Sequence, residues 1–129
     1  AGVAQFETEI PLDWATPQQP YINLFFSSAS NTTGTMIFQV ATACSNIDGT
    51  ISDDPSFTTA DVFPTRTATA ANRNWSTTLQ MTQVTSGNNC VPGGTMLVKI
   101  TRNTDTASAV VWVEKAVITT PRLLTVQAN

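Results

Sequence analysis

Nine Asp/Glu, six Lys/Arg and no histidine limit the chemistry that this chain can attempt. Without imidazole the commonest general base near neutral pH is missing, which excludes a Ser-His-Asp or Cys-His nucleophile. Carboxylate pairs remain. Glu7 and Glu9 stand two residues apart in an alternating stretch and share one strand face. A glycosidase can use two such groups as acid and base, and a solvated edge strand carries the same pattern without any chemistry. Asp48, Asp53 and Asp54, in "NIDGTISDDPS", offer oxygen ligands of the kind calcium takes. They miss the alternate spacing before Gly that an EF-hand loop needs, so a solvated acidic loop is expected and no metal is assigned.

Three other groups of residues could build a site. Trp14 lies in the proline-bounded loop "PLDWATPQQP", where an indole face could stack on a sugar ring as a glycan contact. Trp75 and Trp112 fall inside alternating stretches, where core or interface roles are expected. Arg102 ends an apolar row and Asp105 follows three residues later, in "RNTD". A planar guanidinium can take a carboxylate with two parallel hydrogen bonds, so the pair is read as a clasp closing the turn. Cys44 and Cys90 form no CxxC motif, and with no histidine there is no familiar zinc pattern. They are either a disulfide or two small buried residues. No cofactor motif is present.

The elements that must position these residues are strands. Alternation dominates and no segment sustains a 3.6-residue period. Strands are expected at about 3–9, 21–28, 35–44, 74–84, 95–102 and 110–118, with two short candidates at 56–59 and 66–70. In "GGTMLVKITRNTD", Met96, Val98 and Ile100 share one face while Leu97, Lys99 and Thr101 share the other. Thr, which suits a half-buried pleated surface, supplies 23 of 129 residues, while charged residues are only 12%. The chain therefore reads as all-β: one antiparallel β-sandwich domain over residues 1–120, jelly-roll-like, with about eight strands. Residues 121–129 read as a C-terminal extension expected to contact a neighbouring subunit.

Two strands are apolar on both sides. Tyr21 and Phe25 lie opposite Ile22, Leu24 and Phe26; simple alternation through "VVWVEKAVI" sets Val110, Trp112 and Ile118 opposite Val111, Val113 and Val117. A sandwich buries one face of each sheet, so the second needs a cover: a loop of the same chain or a neighbouring subunit. The neighbour is the sharper expectation. It assigns Tyr21, Phe25, Val110, Trp112, Ile118, Leu123 and Leu124 to an interface. The net charge of −3 and the scattered cations argue against nucleic acid. No apolar stretch approaches the ~20 residues of a membrane helix.

The order of "IPLDW", "YINLFFSS", a turn with Gly34, "TMIFQV", "GGTMLVKITRNTD" and a valine-rich last strand resembles the small jelly-roll domains of tailed-bacteriophage structural proteins, including fibre, spike and head-decoration proteins. Gly93, Gly94, Arg102 and Asp105 match the family's motif of a glycine-opened strand ending in Arg with Asp in the following turn. The resemblance spans about Phe6 to Ile118; the two cysteines and the tail depart from it. It implies a homotrimer in a virion, contacts with other virion structural proteins, and no catalysis. An extracellular carbohydrate-binding module, resting on Trp14, Tyr21 and the acidic loop, is the alternative.

Overall fold

The computed structural model describes residues 3–15, 18–29, 33–45, 57, 60–69, 74–82, 84, 90–103, 105–107 and 111–123. These form nine strands: β1 (Val3–Glu9), β2 (Tyr21–Ser28), β3 (Gly34–Met36), β4 (Phe38–Ser45), β5 (Asp61–Val62), β6 (Arg66–Ala68), β7 (Asn74–Gln80), β8 (Thr95–Arg102) and β9 (Val111–Thr119). All the pairings are antiparallel. One sheet runs β1-β8-β4-β5, a second β7-β2-β9, and β3 pairs with β6. The architecture is all-β and consistent with a sandwich. The expected candidates at 56–59 fall largely outside the described residues, where only Phe57 is placed.

The alternation read from the sequence sets the core. Ile22, Leu24 and Phe26 of β2 point inward, as do Met96, Val98 and Ile100 of β8. Phe26 and Phe38 meet across the layers with ring centroids 4.8 Å apart, a tilted packing that favours both rings' quadrupoles. Trp75 joins the core, and its indole N–H donates to Ser28 Oγ at 2.9 Å, which satisfies a polar atom that burial would otherwise penalise. The Val91–Gly94 turn precedes β8: Gly94 N–H donates to Val91 O, and Gly93 takes φ 83°. With Pro92 at the preceding position this is type II turn chemistry.

Residues 35–44, expected as a single strand, are divided at Ile37. Met36 and before pair with β6; Phe38 and beyond pair with β8. Gly34, at φ 98°, sits so close to Thr106 that a Cβ would meet the Thr106 carbonyl, so only glycine fits there. Cys44 and Cys90 form a disulfide with Cα atoms 5.4 Å apart, spanning 46 residues. Closing a loop of that length removes unfolded-state entropy worth about 4 kcal/mol in the chain-entropy description. The double variant Cys44→Ala/Cys90→Ala should therefore unfold with up to about 4 kcal/mol less stability in urea, and the oxidised wild type should lose a similar amount on reduction.

Candidate functional site

Two regions gather the chemistry-bearing residues: the corner at Ile37 and the outer face of the β7-β2-β9 sheet. At the corner, Arg102 Nε donates to Asp105 Oδ2 at 2.8 Å and Arg102 NH2 to Asp105 Oδ1 at 2.8 Å. The Ile37 N–H donates to Asp105 Oδ2 at 3.2 Å, and the Asn103 N–H donates to the Ile37 carbonyl at 2.8 Å. Both backbone groups at the strand break are thus satisfied by one turn. Next to it, Thr35 N–H donates to Thr106 Oγ1 and Ala107 N–H to the Thr35 carbonyl. The clasp expected within one turn also holds a second segment, 68 residues away in sequence from Asp105.

Burial pushes the Asp105 carboxyl up, but hydrogen bonds from Arg102 and from the Ile37 and Ala107 backbone, with the Arg102 charge, outweigh it and hold the carboxyl below its ordinary value. The same hydrogen bond to Asp105 raises Arg102, against burial. Asp105 keeps only 5% of its side chain exposed, so the carboxylate is occupied within the fold.

The outer face of the second sheet is different. Phe25, Asn23 and Tyr21 of β2 point out, as do Ser76, Thr78 and Gln80 of β7. On β9 the register with β2 shifts: Phe26 pairs with Val113 and Phe25 with Lys115, so Glu114 is an extra residue in a β-bulge. The bulge reverses the alternation along the strand. Val111 and Val113 face the core before it, and Ala116 and Ile118 face the core after it. Ile118, expected on the outer face, is therefore a core-packed residue, and Val117 takes the outward place. Tyr21 is 45% exposed, Trp112 50% and Val117 45%. Lys115 Nζ lies 4.7 Å from the centroid of Phe25, a cation–π contact on the same face.

Trp14 requires a correction. Its side chain is 1% exposed, and its indole N–H donates to the Gln18 carbonyl at 2.8 Å. It cannot stack on a sugar. It lines a cavity of about 110 Å³ at one end of the fold, with Ile10, Pro20, Met96 and Ile118 among its neighbours and Glu9 at its rim. The indole belongs to the core cluster, and the tail pairs with the backbone around it: Trp14 bridges Arg122, Ala15 N–H donates to the Pro121 carbonyl, and Leu123 N–H donates to the Asp13 carbonyl. Residues 121–123, expected to reach a neighbour, are held by their own chain. Arg122 also pairs with Asp13 at 2.6 Å, and this hydrogen bond is the main cause of the lowered Asp13 pKa. Leu123 itself remains 62% exposed.

Glu7 and Glu9 do share the outer face of β1, both exposed. Val110, Leu124, Asp48, Asp53 and Asp54 lie outside the described residues. Among the described residues no group of three or more Asp, Glu or Cys is placed to hold a metal. Val117 was hidden from simple alternation, although two successive charged residues, Glu114 and Lys115, mark the interruption.

Compared with protein-family models, curated proteins and solved structures, the chain matches none.

Arg102→Ala should cost about 1–3 kcal/mol of unfolding free energy, because it leaves a nearly buried carboxylate without its main partner. The pH dependence follows from the lowered Asp105 pKa. Its contribution is complete above the unfolded value of about 3.9 and is lost as pH falls through the lower folded value. Urea midpoints measured between about pH 5 and 2 should fall less steeply for Asp105→Asn than for the wild type.

Proposed function

We propose that the chain is a non-enzymatic structural protein of a virion, a capsid decoration or fibre-head module of jelly-roll type, that assembles as a homotrimer. The phage-family resemblance motivates the class. The nested pairing of β1 with β8 and β2 with β7 is compatible with jelly-roll connectivity, with β9 added beside β2. The observation that carries the assembly is the open β2–β9 face, where Tyr21, Trp112 and Val117 stand about half exposed on a hydrogen-bonded sheet.

Burying that face is the mechanism. Half of Tyr21 and Trp112, with Val117, amounts to roughly 300 Å² of apolar surface, taking 150–250 Å² for a whole aromatic side chain. A stable interface needs roughly 800 Å² per partner, so flanking polar residues such as Asn23 and Thr119 must be covered too. Rigidity helps, since these side chains are already ordered by the sheet and lose little further freedom on association.

A carbohydrate-binding module is the second reading. What favours it is the same face, where exposed aromatics adjoin the polar row Asn23, Thr78 and Gln80. Tyr21 and Trp112 stand at opposite ends of that face, six residues of β2 apart by register, or about 20 Å. A stacked glycan would have to bridge that distance.

Light scattering or mass photometry at micromolar concentration should give a particle of three chains, or of six where trimers pair. The double variant Trp112→Ser/Val117→Ser should shift it toward monomer with little change in melting temperature, since neither side chain is in the core. A wild-type monomer would overturn the assembly, and saturable glycan binding lost in Trp112→Ala would support the second reading.

A further inference from the structure

β9 is nine residues long and stands at the edge of its sheet among the described residues. Edge strands expose unpaired N–H and C=O groups and form a template for another strand. The bulge gives this edge an unusual property. Counting outward from Glu114 and Lys115, Val113 matches Ala116, Trp112 matches Val117, and Val111 matches Ile118. Each matched pair faces the same way: inward, outward, inward. The strand has the same pattern from either end.

We propose that β9 pairs edge to edge with β9 of a second copy of this chain, antiparallel, about a two-fold axis at the bulge. In that register inward residues meet inward residues, and Trp112 lies opposite Val117 of the second copy on the outer face. Simple alternation without the bulge would set inward residues against outward ones about the same centre. Charge agrees with the register: Glu114 of each copy lies opposite Lys115 of the other, and opposite charges placed so are favourable. Glu114 is exposed and enters neither of the ion pairs formed among the described residues. Lys115, over Phe25, keeps its ammonium on the outer face beside the axis.

The contact adds to the trimer reading and does not depend on it. A two-fold contact is isologous and joins chains in pairs; combined with a three-fold axis it gives six chains. Charges and bulges in edge strands can also serve to prevent pairing. The two roles give opposite results in one experiment.

Sedimentation velocity from nanomolar to micromolar concentration at low salt compares the wild type, Glu114→Lys, Lys115→Glu, the double swap and an equimolar mixture of the two single variants. All the substituted side chains are exposed, and circular dichroism melts confirm folding. The wild type is expected as two or six chains. Each single reversal, which places like charges opposite one another twice, should weaken pairing by about tenfold. The double swap should restore it, and the mixture should form mixed pairs at least as tight as the wild type. Three chains indifferent to both reversals would overturn the edge pairing and leave the trimer standing. Pairs that respond to charge, with no three-fold species, would support the pairing and overturn the trimer. A monomer at every concentration would overturn both.

Discussion

The Asp105 carboxylate joins parts of the chain that have no local reason to meet. One oxygen accepts from Arg102 Nε and from the Ile37 N–H; the other accepts from Arg102 NH2. Ile37 is where the chain stops pairing with β6 and starts pairing with β8. A strand that changes partner exposes its backbone groups at the change, and burying them unpaired would cost about 1–3 kcal/mol each. Asp105 and Asn103 answer both groups. Arg102 balances the charge that this solution brings into a partly buried place. Gly34 lets Thr106 come close enough for the adjoining backbone to lock. The division between the two pairing partners therefore rests on one carboxylate.

The bulge at Glu114 plays a comparable role on the other sheet. Without it, simple alternation would turn Lys115 toward the core between Val113 and Val117. With it, the strand serves the core with Val111, Val113, Ala116 and Ile118 and still holds Trp112 and Val117 out. The extra residue costs a local disruption of the ladder and keeps both Glu114 and Lys115 on the solvent side.

Much of this was legible in the sequence wherever the cause is local. Period-two alternation placed β1, β2, β7 and β8, and the three-residue spacing of Arg102 and Asp105 is enough to propose their pairing. What was not legible has distant causes. Met36, Phe38 and Val40 keep their alternation straight through Ile37, so nothing local marks the break; the deciding hydrogen bond is the one that Asp105 accepts from the Ile37 N–H. Trp14 looked exposed because prolines bound its loop, but its indole enters the core while residues 121–123 pair with the backbone of that loop. The facing of Ile118 and Val117 was inverted because a single inserted residue shifts every position after it. The charged pair at its centre was the available signal.

The disulfide has a consequence beyond its contribution to stability. β5, β6 and β7 all belong to the segment between Cys44 and Cys90, so a third of the nine strands sit in a covalently closed ring. A ring can be opened at any one peptide bond and remain a single molecule. Lengthening it is also inexpensive, since doubling a loop adds only about 0.6 kcal/mol of closure entropy. This stretch is thus where the chain can be nicked, or can gain residues over evolutionary time, while the strands that hold the corner and the open face stay joined.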